Sequence, residues 1–352
     1  MEQNKKPSFS ELYDKVISSE SLCTRCGACV LICPKNRLVF KNLQPEQVSG
    51  DKNVCPVNID GRCGFCAMVC PVLNREYASF ITEEDAIGNY TSILAGRTTD
   101  QVFREKGQDG GLVSSILKWG LVSKRWSSFV GYTRDENWQV LPLVVTESSE
   151  VIKTCGSKYT YISIIDGLSQ LHRLGFASEP FSIVGLPCHI AAIRKLQELK
   201  SKYVKGLVLC IGLFCSKAFS YEGLVKNKIM KEMEIPIADV KKMDIRKGLF
   251  TIKMEWEKIY QIPVKELQNY SHSGCSACAD FSAESADISV GGLGIDEWTI
   301  AVIRTEAGEE VMKAARSFGS IETCSADNFP KALHLLERLA SRKREQAVKK
   351  IN

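Results

Sequence analysis

The chain has 352 residues, 15 cysteines and a formal net charge of +5 at pH 7. Its length suits two or three domains with large cores, and its small net charge gives no indication of nucleic-acid binding. The longest apolar run, residues 206–215, is well short of the ~18 residues that indicate a membrane span. No apolar segment follows the N-terminus MEQNKKPSFSELYDK, so the sequence predicts no secretory signal. We expect a cytoplasmic protein, or a peripheral subunit on the cytoplasmic face of a membrane, whose thiols bind metals instead of forming disulfides.

The first predicted element is a short helix near the N-terminus. Ser8 and Glu11 have the spacing of a capping box, which predicts a helix over residues 9–19. We expect this helix to pack beside the cysteine-rich segment that follows it.

Residues 23–70 contain two cysteine runs. The first is Cys23-Thr-Arg-Cys26-Gly-Ala-Cys29-Val-Leu-Ile-Cys33-Pro34, which fits the C-x2-C-x2-C-x3-C-P pattern of bacterial ferredoxins. The second run has the same C-x2-C-x3-C-P ending, but its leading cysteine lies further upstream. Because the fourth cysteine of each run ligates the other run's cluster in such ferredoxins, the spacing predicts two [4Fe–4S] clusters. Their ligands are Cys23, Cys26, Cys29 and Cys70 for one cluster, and Cys33, Cys55, Cys63 and Cys66 for the other.

A structural zinc site is the alternative interpretation of this segment, because zinc is also bound by sets of four cysteines. The proline after each closing cysteine favours the iron–sulfur interpretation. We expect little regular structure up to residue 75, with metal ligation in place of a hydrophobic core. A polar connector over residues 74–99 is the predicted domain boundary.

A glycine-rich loop, Lys106-Gly107-Gln-Asp109-Gly110-Gly111, precedes a helical apolar pattern. A helix N-terminus with free N–H groups suits a phosphate or pyrophosphate. The loop has neither the G-x-G-x-x-G spacing nor a Walker lysine. A plain turn before a helix is therefore the alternative interpretation.

The middle of the chain has the pattern of an α/β sheet. Strands are predicted over residues 128–133, 140–146, 181–186 and 207–214, with a helix over residues 190–200. Between the second and third of these strands lies the stretch Cys155-Gly-Ser157-Lys158-Tyr159. It is either a site for a phosphate and a planar ring or a solvated turn. Cys188 and Cys215 follow the last two strands, and the C-terminal ends of strands are where α/β sheets form their sites.

In the C-terminal third, residues 250–256 alternate and predict a half-buried antiparallel strand with Trp256 in the core. Further strands are predicted over residues 286–291 and 300–304, and a helix over residues 306–318 that Gly319 ends. Residues 329–352 predict an amphipathic helix with a solvated basic face, or alternatively a face that docks onto an acidic partner. Its apolar positions are Leu333, Leu336, Leu339 and Ala340, and its basic positions are Arg338, Arg342, Lys343, Arg344, Lys349 and Lys350.

A third metal centre is predicted from the cysteines outside the two runs. Cys275 and Cys278 form a C-x2-C pair, which commonly supplies two ligands to one centre. Cys188 and Cys215 are candidates for the other two positions, and Cys155 competes for one of them. Cys210, inside an apolar strand, and Cys324 have the pattern of ordinary thiols.

Several stretches of the chain resemble the family of coenzyme F420 hydrogenase/dehydrogenase beta subunits. They are Gly185-Leu-Pro187-Cys188-His189-Ile, Gly212-Leu-Phe-Cys215, Cys275-Ser-Ala-Cys278-Ala-Asp280-Phe281 and Ala286-Asp-Ile-Ser-Val-Gly291, with further matches at Gly110-Gly111, Gly156-Ser157-Lys158-Tyr159 and Ile303-Arg304-Thr305. The resemblance spans residues 80–325 and departs from the family at Glu297-Trp298, where Gly-Trp is expected. With the ferredoxin-like segment in front, the chain is most similar to the electron-input subunit of archaeal F420H2 dehydrogenase complexes.

This resemblance implies an FAD, a [4Fe–4S] cluster near it, and hydride exchange with coenzyme F420 as the substrate. A flavin suits this role because it exchanges one or two electrons, whereas clusters accept one at a time. The protein's part is to bind and orient the cofactors, and we expect no catalytic acid–base set. The residues predicted to line the FAD or coenzyme F420 pocket are Gly110, Gly111, Ser114, Ser157, Lys158, Tyr159, Gly291 and Arg304.

The sequence thus predicts an α+β or α/β protein in three parts. They are a ferredoxin-like domain with two [4Fe–4S] clusters (residues 1–78), an FAD- and F420-binding domain with a third cluster (79–328), and a basic amphipathic helix (329–352). The predicted function is oxidation of reduced coenzyme F420, with electrons passing singly through the clusters to a membrane-bound F420H2 dehydrogenase complex. The alternatives are a soluble enzyme that reduces ferredoxin, and a non-catalytic iron–sulfur subunit that relays electrons between partners.

Overall fold

The computed structural model describes residues 7–18, 22–41, 44–48, 63–74 and 86–351, with side chains up to residue 349. Cys55, a predicted ligand of the second cluster, lies outside the described residues. The described N-terminal part contains short helices and one hairpin. These elements are α1 (Phe9–Leu12), a π-helical turn (Tyr13–Ile17), α2 (Ala28–Leu31), β1 (Leu38–Lys41), β2 (Gln44–Gln47) and α3 (Phe65–Met68).

The first helix begins where its capping box predicts. Ser8 Oγ accepts a hydrogen bond from the backbone N–H of Glu11 at 3.1 Å, which satisfies a free donor of the first turn. Phe9, Leu12 and Val16 are buried along this helix and its π-helical continuation. The predicted helix is confirmed as far as Ile17.

From Ser92 onward, the described strands and helices alternate along the chain. The strands are β3 (Ser92–Thr98), β4 (Ser128–Arg134), β5 (Val140–Val145), β6 (Phe181–Gly185), β7 (Leu207–Leu213), β8 (Val240–Arg246), β9 (Leu249–Met254), β10 (Ile259–Pro263), β11 (Ile288–Gly291), β12 (Thr299–Ile303) and β13 (Ile321–Ser325). The helices are α4 (Gln101–Lys106), α5 (Leu112–Val122), α6 (Ile165–Arg173), α7 (Pro187–Glu198), α8 (Glu306–Ser317) and α9 (Pro330–Ile351), with a π-helical segment at Tyr221–Glu232. The strands and helices predicted from the sequence between residues 128 and 318 are all present, with their ends shifted by a few residues.

Within the described residues, eight strands form one mixed sheet in the order β13-β3-β12-β11-β7-β6-β4-β5. The neighbours β11, β7, β6 and β4 run parallel, and the other neighbouring pairs in this sheet are antiparallel. A separate antiparallel sheet has the order β10-β9-β8, and its core includes the π-helical segment. Helices α5 and α8 pack on the large sheet in one hydrophobic core, and α6 and α7 pack on it in a second core. Helix α9 packs against strands β3 and β12 of the same sheet.

The polar connector predicted over residues 74–99 extends too far. Ser92–Thr98 is the strand β3, which pairs with both β12 and β13 in the interior of the large sheet. Its sequence, SILAGRT, contains a glycine and an arginine, so the local pattern does not indicate a buried strand. The partners that make it a strand come from the distant C-terminal part of the chain.

The described part of the cysteine-rich segment has a hydrophobic core, contrary to the expectation that metal ligation would replace one. Phe9, Leu31 and Val69 are buried in the same cluster of apolar side chains as Leu168 of α6 and Ile193 of α7. The segment therefore packs directly onto the large sheet's helices. Its apolar residues are too few for a separate core, but they extend a core that another part of the chain provides.

The expectation that Trp256 lies in the core is wrong. Strand β9 ends at Met254, and Trp256 lies in the turn before β10, where its side chain is 52% exposed. Glu257 has a φ of 64° in this turn, a backbone conformation that reverses the chain. The alternating pattern predicted the strand correctly but continued it two residues too far.

Candidate redox site

The structure brings together the four cysteines predicted to hold the first cluster. Burial and the neighbouring thiols of Cys26, Cys23 and Cys70 raise the pKa of Cys29 well above its ordinary value. Burial and the thiol of Cys26 likewise raise the pKa of Cys70 to about 12. Backbone N–H groups point at two of the sulfurs, from Arg25 to Cys23 (3.4 Å) and from Leu73 to Cys70 (3.5 Å). N–H···S hydrogen bonds of this kind surround cluster ligands and tune their potentials.

The described ligands of the predicted second cluster share one cavity. Cys33, Cys63 and Cys66 line it together with apolar side chains that include Phe9 and Phe65. The Sγ of Cys33 accepts a hydrogen bond from the backbone N–H of Arg37 at 3.2 Å. Three soft sulfur ligands around an apolar cavity suit an iron–sulfur cluster.

The third set of thiols lies at the C-terminal ends of central strands of the large sheet. Strands β6 and β7 are parallel neighbours, so Cys188, in the first turn of α7, and Cys215, just after β7, lie at the same end of these strands. Cys275 lies in a 3₁₀ turn at Ser273–Ala277, and Cys278 directly follows it. The backbone N–H of Cys215 donates to the carbonyl of Phe281 (2.9 Å), which holds the C-x2-C segment against the end of β7.

Electrostatic coupling shows that these four thiols are neighbours. Burial raises the pKa of Cys188 well above its ordinary value, and Cys278, Cys215, Cys26 and Cys275 add to the effect. Burial also raises the pKa of Cys215 to about 12, against the opposing charge of the Lys343 ammonium. The coupling of Cys188 to Cys26 places the first and third thiol sets next to each other.

Direct backbone contacts connect these two thiol sets. A Cβ on Gly274 would lie 2.3 Å from the carbonyl oxygen of Cys23, so the two backbones touch. The hydroxyl of Ser163 donates to the carbonyl oxygen of Cys26 at 2.8 Å. The ferredoxin-like segment is thereby fixed against the elements that carry the third set.

The buried ring of Tyr161 lies between the two thiol sets. Burial and the thiols of Cys188, Cys26 and Cys23 raise its pKa well above the ordinary value. The ring packs edge-on against His272, with 4.7 Å between ring centroids, and its hydroxyl is 3.3 Å from Nε2 of His189. The sequence did not reveal this residue, because nothing near it along the chain indicates a site.

No group of three or more His, Cys, Asp or Glu side chains in the described residues is arranged to hold a single metal ion. A [4Fe–4S] cluster distributes its four thiolates over several irons, so its ligands do not converge on one point. That the three sets hold clusters stays a prediction.

The glycine-rich loop folds as the phosphate interpretation requires. Gly110 and Gly111 have φ values of 83° and 66°, the left-handed region that favours glycine. Gly111 is the N-cap of α5, and no side chain caps this helix, so its first-turn N–H groups have no side-chain acceptor at the cap. A Cβ on Gly110 would lie 2.5 Å from the carbonyl oxygen of Glu297.

Lys158 and Cys155 lie beside this helix N-terminus. Burial lowers the pKa of Lys158 to about 8, and its Nζ donates to the carbonyls of Thr154 (2.6 Å) and Cys155 (3.0 Å). The thiol of Cys155 donates to Ser114 Oγ at 3.3 Å and packs against the core under α5. Cys155 is therefore placed with the glycine-rich loop and not with the third thiol set.

Tyr159 extends the same pocket toward the small sheet. Its ring packs edge-on against Phe250, with 5.3 Å between centroids, and burial and the carboxylates of Asp244 and Asp109 raise the pKa of its hydroxyl. Gly291 lies in van der Waals range of the Phe214 ring, and the adjacent Gly292 packs on the carboxylate of Asp109. These contacts place the predicted pocket residues, apart from Arg304, around one loop.

Arg304 lies elsewhere. Its guanidinium donates to Ser289 Oγ (2.8 Å) and to the carbonyls of Asn89 (2.7 Å), Ile87 (3.0 Å) and Ser282 (3.2 Å). These bonds join β11 to the segments beside it, so the side chain serves the fold. The charged groups that shift the pKa of Lys158 are Cys155 and Arg134, and Arg304 is not among them.

Three charged or polar side chains that the sequence did not single out complete the loop's surroundings. Arg246 of β8 donates to Asp109 (2.9 Å) and Asp244 (2.8 Å), and Gln108 donates to Asp244 (2.6 Å). Lys242 donates to the carbonyl of Gly107 at 2.9 Å. The small sheet thus anchors the glycine-rich loop, a relationship between segments far apart in sequence.

Comparison with known proteins identifies the family. Residues 93–169 and 179–328 match the N-terminal and C-terminal parts of "Coenzyme F420 hydrogenase/dehydrogenase, beta subunit", and residues 16–36 match "4Fe-4S binding domain". The coenzyme F420 hydrogenase subunit beta of Methanococcus voltae is 35% identical over 271 residues, which are 75% of this chain and 95% of that protein. The chain belongs to the family of coenzyme F420 hydrogenase/dehydrogenase beta subunits. The family resemblance stated from the sequence is confirmed.

Two further relatives extend the comparison. A subunit of the F(420)H(2) dehydrogenase of Methanosarcina mazei is 28% identical and aligns over 85% of this chain and 84% of its own length. A chain in a structure of the F420-reducing [NiFe] hydrogenase complex from Methanosarcina barkeri is 29% identical, with a TM-score of 0.71 over 77% of this chain and 94% of that chain. The mixed α/β fold of the family, with an N-terminal 4Fe–4S motif, is therefore established.

The departure from the expected Gly-Trp lies at a residue with a left-handed backbone. Glu297 has a φ of 60°, a conformation that glycine adopts without strain and that other residues rarely adopt. The loop thus keeps the backbone shape that a glycine would give it.

In the described residues, no helix has both the length and the apolar composition needed to cross a membrane.

Proposed function

We propose that the protein oxidises reduced coenzyme F420 by hydride transfer to a bound FAD, and that the electrons leave singly through three [4Fe–4S] clusters to a partner protein. FAD, when bound, supplies the conversion between a two-electron donor and one-electron acceptors. Family membership supports the link to coenzyme F420. The short segment between the glycine-rich loop and the thiol sets supports an electron route between the two sites.

The residues around the glycine-rich loop fit the pyrophosphate of FAD. The uncapped N-terminus of α5 presents backbone N–H groups and the positive end of the helix dipole. The partly buried Lys158 adds an ammonium beside it, and a charge-assisted hydrogen bond to phosphate suits this group. Gly156, next to this loop, leaves open space, since a Cβ on it would have only the carbonyl of Lys106 close to it, at 3.5 Å.

The thiol sets fit [4Fe–4S] clusters by their chemistry. Each set in the described residues consists of cysteines, and soft thiolates are the ligands of iron–sulfur clusters. Thiols whose pKa burial raises, such as Cys70 and Cys215, are costly to ionise by themselves. A bound metal centre would stabilise their thiolate forms.

One observation carries the proposal: a single short segment joins the proposed flavin site to the thiol sets. Lys158 donates to the carbonyl of Cys155, whose thiol bonds to Ser114 in the first turn of α5. Burial and the thiols of Cys188 and Cys26 raise the pKa of Tyr161. Three residues of extended chain span at most about 10 Å. The backbone of this segment is fixed by hydrogen bonds in both directions between Phe219 and the residues Tyr159 and Tyr161. Electrons leaving the flavin would therefore have a short route to the third and first thiol sets.

The decisive experiment is anaerobic purification of the full chain followed by addition of reduced coenzyme F420. We expect bound FAD, iron for three clusters, and bleaching of the flavin and cluster absorbance when the reduced coenzyme is added. Lys158→Met should lower the flavin content while the iron content stays unchanged, because the bonds of Lys158 go to the carbonyls of Thr154 and Cys155 and not to a predicted cluster ligand.

Two outcomes would contradict the proposal. Protein with a full iron content and no flavin would indicate a non-catalytic electron-transfer protein. If the protein binds flavin but its absorbance does not bleach when reduced coenzyme F420 is added, the coenzyme is not the electron donor.

The proposed electron acceptor is a protein that binds near the ferredoxin-like segment, because that segment is the far end of the route. The relatives from an F(420)H(2) dehydrogenase and from an F420-reducing hydrogenase complex favour a larger assembly. Co-purification from native membranes distinguishes a subunit of a membrane-bound dehydrogenase from a free enzyme that reduces soluble ferredoxin.

A further inference from the structure

The C-terminal helix α9 buries two basic side chains. The sequence predicted a solvated face for its basic residues, and Arg338, Arg342 and Lys349 are indeed exposed. Lys343 and Arg344, however, are only 6% and 7% exposed. Both lie three or four residues from the buried Ala340 and Ala347, so helical spacing puts them on the face that packs on the protein.

Lys343 lies against the third thiol set. Its Nζ donates to the carbonyl oxygen of Cys215 at 2.5 Å. The thiols of Cys278, Cys215 and Cys275 and the carboxyl of Asp280 surround this ammonium. Lys343 thus places its ammonium inside the protein, beside the predicted ligands of the third cluster.

The other buried charges on this side are arranged differently. Arg344 pairs with Glu284 at 2.8 Å, and Asp280 accepts hydrogen bonds from the backbone N–H of Glu284. Lys343, by contrast, bonds to the backbone carbonyl of Cys215 and lies beside the thiols of Cys215 and Cys275. A half-buried lysine, Lys217, also lies near Cys275.

A buried cation next to such a cluster has a predictable effect. A [4Fe–4S] cluster with four thiolates carries net negative charge, and one-electron reduction adds one more. Net charge and solvent exposure are among the factors that set cluster potentials, and charges interact strongly where water is excluded. A fixed positive charge therefore stabilises the reduced cluster more than the oxidised one.

We propose that Lys343 raises the reduction potential of the third cluster and so makes it the favoured acceptor of electrons from the flavin. The C-terminal helix then belongs to the redox site, where it supplies a fixed charge. This inference rests on the third cluster of the proposed function. It assigns Lys343 a tuning role and not a ligand role.

The test is an EPR-monitored redox titration of the full chain. The signal of the third cluster is identified by its loss in the Cys275→Ser/Cys278→Ser variant. Lys343→Met removes the charge and keeps an apolar stem, Lys343→Arg keeps the charge, and Lys349→Met removes an exposed charge from the same helix. We expect Lys343→Met to lower the equilibrium constant for reduction of the third cluster about tenfold, which is about 59 mV for one electron. The Lys343→Arg and Lys349→Met proteins should keep the wild-type potential.

Two results would overturn the inference and leave the proposed function intact. One is a Lys343→Met protein whose third cluster is present with an unchanged potential. The other is loss of the third cluster's iron from Lys343→Met but not from Lys343→Arg, which would assign the charge to cluster assembly instead. If the Cys275→Ser/Cys278→Ser variant keeps the wild-type iron content, the third cluster does not exist at this site, and the proposed electron route fails with it.

Discussion

Gly274 touches the carbonyl oxygen of Cys23, at a point where a Cβ would lie 2.3 Å from that oxygen. This contact joins the turn that carries Cys275 to the first ferredoxin-like cysteine. We predict that Gly274→Ala destabilises the protein by about 1–3 kcal/mol, because a backbone oxygen cannot move aside as a side-chain end can. Thermal unfolding and iron content measure the effect. Ser276→Ala, an exposed position in the same turn, is the control, and equal stability of the two variants would contradict the contact.

The bond from Ser163 Oγ to the carbonyl of Cys26 supports the same junction. Ser163→Ala leaves that carbonyl without its donor in a buried place, and we expect a loss of about 1–3 kcal/mol. Ser127 makes a similar bond to the carbonyl of Pro180, at 3.1 Å, from an exposed position. Ser127→Ala should therefore cost much less in the same denaturation experiment. A cost for Ser163→Ala no larger than that of the control would show that the bond does not stabilise the junction.

The third thiol set can be tested by iron analysis. Cys275→Ser combined with Cys278→Ser should remove one cluster's iron and leave the ferredoxin-like segment loaded. Cys155→Ser is the matched control, because the Cys155 thiol lies with Ser114 and Lys158. We expect its iron content to equal that of the wild type. A loss of iron from the Cys155 variant would move the ligand assignment to that cysteine.

The lowered pKa of Lys158 predicts a pH dependence of flavin binding. Its pKa of about 8 in the protein is below the ordinary 10.5, so the ammonium loses its proton as the pH rises through 8. An anion binds the charged form, and FAD affinity should therefore fall above pH 8, by at most about tenfold per pH unit. Titration of flavin-depleted protein with FAD at a series of pH values, followed by fluorescence quenching, measures this affinity. Cys155 and Arg134 are the neighbouring groups whose charges also act on the pKa of Lys158.

Variants separate Lys158 from other titrating groups. Lys158→Arg stays protonated up to high pH, so its affinity should not fall in this window. Lys158→Met should bind FAD weakly at pH 7 and show no fall either, while the exposed Lys258→Met should behave as the wild type. The same fall in the Lys158→Arg protein would assign the pH dependence to another group.

Glu297 provides a test of backbone strain. Its φ of 60° costs about 1 kcal/mol for a residue other than glycine, so Glu297→Gly should leave stability unchanged or raise it by up to about 1 kcal/mol. The ion pair to Arg97 is exposed and long, at 3.8 Å, and contributes little. Glu297→Ala removes the same ion pair but keeps the strain, and should not gain stability. Equal denaturation midpoints for the glycine and alanine variants would show that the backbone is not strained there.

Local patterns in the sequence determined much of this protein. The ferredoxin spacing from Cys23 to Cys33 depends on residues a few positions apart, as does the capping box at Ser8, and such short-range patterns can be read without a fold. Strands β6 and β7 could also be predicted from their apolar runs, because a strand buried on both faces is apolar throughout. From these two strands the placement of Cys188 and Cys215 at the same end of the strands followed.

The tertiary structure alone decided what surrounds these elements. The strand β3 exists because β12 and β13 pair with it, and Tyr161 lies between two thiol sets because the ferredoxin-like segment packs on α6 and α7. Arg304 serves the fold although its sequence context resembled a pocket residue. Lys343 illustrates the general reason: its helical spacing was visible in the sequence, but whether a charged side chain is solvated or buried depends on which distant groups pack against it.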